Sequence, residues 1–341
     1  MDNQGSVLII YTGGTIGMCK DPITGSLRPV DLNELQEYIP NLELFNFEID
    51  SYSFDPIIDS ANMNPAFWMK IANVIEDNYE KYDGFVVLHG SDTMSYTASA
   101  LSFILENLNK PVILTGSQLP LGMVRTDGRE NFITSLELAA ARIDDTPIIP
   151  EVAIYFEDML YRGNRTYKFN AENFDAFKSV NYPHLAEVGV NIRYNYNVIR
   201  KPNFRRLKVL KKIETGVGII RLFPGLTQSV LSSMLNAVGL KGIVLETYGA
   251  GNAPTEDWFV NEIKDAIDKG ITIINISQCR GGQVEMGKYE TSLKLKEIGL
   301  LNGKDLTTEA AITKLMLVLA NYNTREEIAW RMENNWRGEM N

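Results

Sequence analysis

Four short apolar runs rich in β-branched residues recur in the first half of the chain, at residues 7–11, 85–88, 111–114 and 152–156. Unbroken apolar runs of this length predict strands buried on both faces, as in a parallel sheet covered by helices. Helical periodicity fills the intervals. Asn64-Pro65 reads as an N-cap with proline at the first helical position, and Phe67, Ile71, Val74 and Ile75 then share one face. Ala98, Leu101, Leu105 and Leu108 predict a second apolar stripe. Residues 193–212 break the pattern with eight Lys or Arg and no acid, and read as an interdomain connection. Shorter strand signals follow at 216–223, 241–245 and 271–276, then a helix introduced by Glu309 and a Thr324-x-x-Glu327 capping box. The pattern predicts an α/β fold: a larger N-terminal parallel-sheet α/β domain over 1–192, a linker over 193–214, and a smaller C-terminal α/β domain over 215–341. At 341 residues, two domains are also what core size leads one to expect.

Composition narrows the function. A net charge of −10 argues against nucleic acid and against an anionic membrane surface as partners, and the basic stretch with Tyr194, Tyr196 and Phe204 reads better as a solvated linker. Residues 2–5 supply no basic leader and 7–11 is too short for a signal or a span, which predicts a cytoplasmic protein. Cys19 and Cys279 are far apart in sequence, without a CxxC, and predict reduced thiols. The histidines are His89 and His184 alone. A zinc site and a serine–histidine–aspartate triad are therefore poorly supplied, and the expectation is no metal and no cofactor.

Each apolar run in the first half is followed by a segment rich in hydroxyls or glycine: TGGTIGM from Thr12, HGSDTM from His89, TGSQLP from Thr115, and RGNRTYK from Arg162. Ligands in open α/β sheets bind beyond the carboxyl ends of the strands, so these four segments are placed to share one crevice. Together they offer the Thr15 and Ser91 hydroxyls, the Asp92 carboxylate and the Lys168 ammonium, a set suited to nucleophilic catalysis. Singly, each has an ordinary explanation. TGGTIG lacks the glycine spacing of a dinucleotide loop and the Lys-Ser/Thr of a phosphate loop, and reads equally as a tight turn. Ser91-Asp92 reads as a helix cap, with Asp92 beside the free N–H groups of the first turn. Lys168 reads as a surface lysine.

The motifs in this order, with Asp59-Ser60 and Tyr248-Gly-Ala-Gly-Asn-Ala-Pro254, resemble the bacterial type I, cytoplasmic-type L-asparaginases along the whole chain. The resemblance implies hydrolysis of L-asparagine to L-aspartate and ammonia, with weaker action on L-glutamine, in a homodimer or homotetramer. It implies Thr15 as the nucleophile forming an acyl-enzyme, and Ser91, Asp92 and Lys168 as the remaining catalytic groups. Asp92 is expected to meet the substrate α-ammonium, Asp59, Ser60 and the neighbouring Ala61 to surround its α-carboxylate, and Ser117 to line the pocket. Asn252, from the second domain, is a further candidate that reaches toward a neighbouring protomer's site.

Three positions depart from the family pattern. Ser91 stands where threonine is usual, Ala61 where serine is frequent, and the loop after TGGTIG reads Gly25-Ser26-Leu27-Arg28 where a tyrosine is often supplied. Tyr11 belongs to a buried strand and is no obvious substitute. Glu246 stands where some members carry a basic residue near an effector site; it reads either as adverse to a second asparagine or as a strand-end surface residue. Two other functions compete. The glutaminase-like subunit of a tRNA-dependent amidotransferase shares these motifs but carries an extra N-terminal domain, for which a first motif at Thr12 leaves no room. An amino-acid sensor without turnover is opposed by the joint presence of Thr15, Asp92 and Lys168.

Overall fold

A computed structural model describes residues 5–20, 27–29, 42–287 and 290–341. The chain divides into two compact units, Met1–Val209 and Leu210–Asn341. The first is built on an eight-stranded sheet: β1 (Ser6–Gly13), β2 (Glu48–Ile58), β3 (Gly84–Leu88), β4 (Val112–Thr115), β5 (Val152–Phe156), β6 (Met159–Arg162), β7 (Ala186–Val188) and β8 (Ile192–Tyr194), in the order 8-7-6-5-4-3-1-2. Strands β2, β1, β3, β4 and β5 run parallel, while β6 to β8 are added antiparallel. Every residue of β3, β4 and β5 is buried, which is why these strands read as continuous apolar runs. The chain leaves β1 for β2 on one side and returns to β3 on the other, so the sheet's switch point lies between β1 and β3.

Helices α1 (Pro65–Asp77), α2 (Met94–Ile104) and α3 (Gly128–Ala140) belong to this unit. The Asn64 side chain accepts from Ala66 N–H, with Pro65 in the first turn, as the sequence predicts. The expected α2 stripe is too long, however. The helix ends at Ile104, Leu105 and Glu106 turn into a two-residue ladder with Lys208 and Val209, and Asn107 adopts φ 61°, so Leu108 lies beyond the helix. The same ladder changes the picture of 193–214. Arg193 and Tyr194 sit in edge strand β8 and Val209 is buried, so both ends of the basic stretch up to Val209 are fastened to the first unit.

The second unit has a four-stranded parallel sheet, β9 (Val217–Arg221), β10 (Gly242–Thr247), β11 (Thr272–Ser277) and β12 (Leu301–Asn302), in sequential order. Phe259 and Ile263 from the helix Asp257–Asp268 pack on Ile243 and Leu245. The helix Thr308–Asn321 buries Lys314, whose ammonium meets Glu339 at 2.6 Å with both side chains 0% exposed. Thr324 caps the last helix by accepting from Glu327 N–H. Glu246, read from sequence either as adverse to a second asparagine or as a strand-end surface residue, is buried: Arg221 pairs with it at 3.1 Å and the Thr308 hydroxyl donates to it at 2.6 Å. Among the described residues, no helix is long and apolar enough to cross a membrane.

Candidate active site

Three loops meet at the β1/β3 switch point because glycine lets backbone touch backbone. Gly14 follows β1 with φ 92°, and a Cβ there would fall 2.4 Å from Gly90 N. A Cβ on Gly90 would in turn fall 2.4 Å from Ser60 Oγ. Any side chain at either position would force the loops at 13–17, 59–61 and 89–93 apart. Further hydrogen bonds fasten them. Thr12 Oγ1 donates to Leu88 O at 2.8 Å, and Thr93 Oγ1 donates to Ser60 O at 2.8 Å. Thr15 opens a single 3-10 turn, Thr15–Gly17, directly after Gly14 and is only partly buried. Among the described residues its hydroxyl has no hydrogen-bond partner. Tyr11 donates to Gly17 O at 2.9 Å from within the core, and burial pushes its phenol well above the ordinary range. It braces the turn and stays neutral. Residues 21–26, which include Gly25 and Ser26 of the loop expected to lack the family's tyrosine, lie outside the described residues.

On the β3 side the polar groups are in direct contact. Lys168 Nζ donates to Ser91 Oγ and to Asp92 Oδ1, each at 2.8 Å. The lysine side chain is 17% exposed and the aspartate 68%, so the carboxylate faces solvent while the lysine is largely covered. Lys168 is held there by a two-residue ladder, Tyr167 opposite Lys178 and Lys168 opposite Phe177. The Asp92 carboxylate therefore serves Lys168; α2 begins at Met94, with Thr93 at its cap position and no side-chain cap. Asp59 Oδ1 accepts from Ala61 N–H at 2.9 Å, shaping the turn that carries Ser60. Ala61 itself is exposed.

Ser117 is buried and spends its hydroxyl on Leu119 O at 2.6 Å, inside its own turn. The neighbouring Gln118, which sequence reasoning did not single out, reaches Ser91: its Oε1 lies 3.4 Å from Ser91 Oγ, and its Nε2 donates to Asn173 O at 2.9 Å. Asp127 fixes this turn by accepting from the Gln118 and Leu119 N–H groups at 2.9 and 3.0 Å. Gln118 lay inside the TGSQLP segment, and a longer polar side chain beside a serine was the available signal. Asn252 belongs to the second unit, where its backbone closes a turn on Tyr248. The first unit thus joins Ser91, Asp92, Gln118 and Lys168 by direct contact, and ties Ser60 to the same loop through Thr93 and Gly90. It brings Thr15 to them through the Gly14–Gly90 contact.

Residues 6–200 match the family described as Asparaginase, N-terminal, and residues 216–332 the Glutaminase/Asparaginase C-terminal domain. The chain belongs to the asparaginase family. It is 42% identical to L-asparaginase 1 of Escherichia coli (strain K12) over 98% of both chains. It is similar to the solved L-asparaginase I of Vibrio cholerae, with 38% identity, a TM-score of 0.89 and 99% of each chain covered. A glutamyl-tRNA(Gln) amidotransferase component of Pyrococcus abyssi is 33% identical over 98% of this chain and 76% of that protein. The matched domains cover every residue of the candidate site, and the family's hydrolase chemistry is in keeping with a site of hydroxyls, a carboxylate and an amine.

Proposed function

We propose that the chain hydrolyses the side-chain amide of L-asparagine through a covalent intermediate on Thr15, with weaker action on L-glutamine. Thr15 Oγ attacks the amide carbon, ammonia leaves from the tetrahedral adduct, and an aspartyl ester remains on Thr15. Water then attacks the ester and frees L-aspartate, returning the proton to Thr15. Threonine is a weak nucleophile at neutral pH and needs a base. Ser91 and Lys168 supply the path: with Lys168 as the neutral amine, the Ser91 hydroxyl passes its proton to the Nζ lone pair as it takes one from the attacking group, and Asp92 stabilises the ammonium so formed. Asp92 also receives the substrate α-ammonium, while Ser60 and the Asp59–Ala61 turn receive its α-carboxylate. Ser117 and Asn252 retain only supporting places in this reading. A homodimer or homotetramer acting in the cytoplasm is part of the same proposal.

The observation that carries the reading is the single amine 2.8 Å from both a hydroxyl and a carboxylate, on a loop packed against the one bearing Thr15. An ammonia-release assay on purified protein with asparagine, with glutamine, and without tRNA tests it. Release from asparagine is expected, together with an acyl group on Thr15 when quenched reactions are examined by mass spectrometry. No release from either amide, or an adduct on another residue, overturns it.

A further inference from the structure

His89 lies beside the site, yet the mechanism gives it no role. It is 0% exposed, and both ring nitrogens are engaged: Nδ1 lies 2.7 Å from Gly90 O and Nε2 lies 2.8 Å from Thr97 Oγ1. Thr97, also 0% exposed, has a second partner, Trp68 Nε1 at 3.1 Å. The direction of this chain is set from its carbonyl end. An indole N–H only donates, so the Thr97 oxygen accepts from Trp68, which leaves its proton free to be given to His89 Nε2. A carbonyl only accepts, so Nδ1 must carry the ring proton. Burial holds this imidazole down at about 4, so the ring is neutral, and with the proton on Nδ1 its Nε2 is left to accept from the Thr97 hydroxyl.

Gly90 O is the carbonyl of the peptide that carries Ser91 N–H, and Gly90 is packed between Gly14 and Ser60. The flanking backbone is already tied to the sheet, since His89 N–H donates to Thr115 O at 2.9 Å and Leu88 O accepts from Thr12. The Gly90–Ser91 peptide plane is the part that the ladder does not hold. We infer that His89 is a positioning residue for the Ser91 loop, setting that peptide plane through Gly90 O, with the Thr97 hydroxyl, itself held by Trp68, supporting the donating tautomer by giving its proton to Nε2. This rests on the reading that Ser91 relays protons in catalysis.

His89→Leu removes the donor to Gly90 O at similar volume. His89→Asn keeps an N–H donor at nearly the Nδ1 position, and Thr97→Val removes the hydroxyl that supports the tautomer. A neutral hydrogen bond's net worth corresponds to about a 2- to 12-fold change. The expected result is a fall of that size in kcat for His89→Leu with KM for asparagine unchanged, substantial recovery in His89→Asn, and a smaller fall in Thr97→Val. A double variant should be no worse than His89→Leu alone, because both substitutions act through one bond. In the wild type, ¹⁵N NMR should show a protonated Nδ1 and a bare Nε2. Equal losses in the leucine and asparagine variants, a change in KM in place of kcat, unaltered turnover in His89→Leu, or the opposite tautomer would each overturn the inference. A wild type that releases no ammonia sinks the functional reading instead, and the NMR measurement then still decides the tautomer.

Discussion

Replacing Lys168 separates proton transfer from charge. Methionine matches the lysine stem in length, so Lys168→Met should preserve packing of a side chain that is 17% exposed while removing the donor to Ser91 and Asp92. Ser91 is then left with Gln118 Oε1, at a long 3.4 Å, and an amide oxygen cannot serve as a base near neutral pH. General acid–base groups contribute about 10² to 10⁴ in rate, or roughly 3 to 5 kcal/mol of transition-state stabilisation. A fall in kcat within that range is expected, with a smaller change in KM because Asp92 remains to meet the substrate. Lys168→Arg sharpens the test. Arginine keeps the positive charge beside Asp92, but its guanidinium does not give up a proton in proteins. If the ammonium acted only as a fixed charge, arginine would recover most of the rate. If it carries a proton, arginine should resemble methionine. Steady-state kinetics on asparagine with both variants, supported by matching thermal melts, decides the matter. Recovery of kcat to within a few-fold by arginine, or an unchanged kcat with a raised KM in Lys168→Met, refutes the relay.

Thr15→Val should abolish turnover and acyl capture while leaving the melt close to wild type, since valine copies the shape without the oxygen; near-normal ammonia release would remove Thr15 as nucleophile. Ser91→Thr should be tolerated and Ser91→Ala severely impaired, with kcat at saturating asparagine as the readout. Lys314→Ala should destabilise by about 3 to 5 kcal/mol in urea titration, because it strands the Glu339 carboxylate in a site where both partners are 0% exposed. Lys314→Met combined with Glu339→Leu should recover much of that loss. His89 also makes a pH prediction. Its imidazole stands at about 4 folded against about 6.5 unfolded, so the unfolded state binds the extra proton. Stability from this group is complete above pH 6.5 and is lost as pH falls toward 4, by on the order of 3 kcal/mol. The difference in unfolding free energy between wild type and His89→Asn should shrink over that window, and a constant difference would contradict it.

The strands were legible because burial on both faces leaves no polar residue to interrupt them. Residues 85–88 and 152–156 appear in the structure within β3 (Gly84–Leu88) and as β5 (Val152–Phe156), with the helix cap at Asn64 equally plain. What sequence could not show was set by partners far along the chain. Leu105 continues the apolar period of α2, yet Val209 draws it into a ladder and ends the helix. Glu246 looks like a strand-end surface residue until Arg221 and Thr308 are seen to hold it. Asp92 looks like a helix cap until Lys168, 76 residues on, is found at its oxygen. In TGSQLP, local reasoning chose the serine, whose hydroxyl closes its own turn, and passed over the glutamine that points to Ser91.

The scarcity of histidine, first a matter of composition, acquires a physical meaning at the site. His184 is exposed and stacks edge-on against Tyr161, while His89 is close enough to the reacting loops to matter. A general base needs a free lone pair at an atom the substrate proton can reach. The lone pair on His89 Nε2 is taken by Thr97, and its only N–H is taken by Gly90, so this imidazole can neither accept nor deliver a proton without breaking a buried bond. Burial raises the cost further by opposing the charged form. Lys168 differs in reach: its Nζ lies 2.8 Å from the Ser91 oxygen, so in its neutral form its lone pair can take the Ser91 proton, and the ammonium then formed is met by Asp92, whose exposed carboxylate lets the charge be solvated. The histidine nearest the site is thus bound into the scaffold, and in the proposed mechanism proton transfer falls to the Lys168 amine, whose charged form Asp92 is placed to meet.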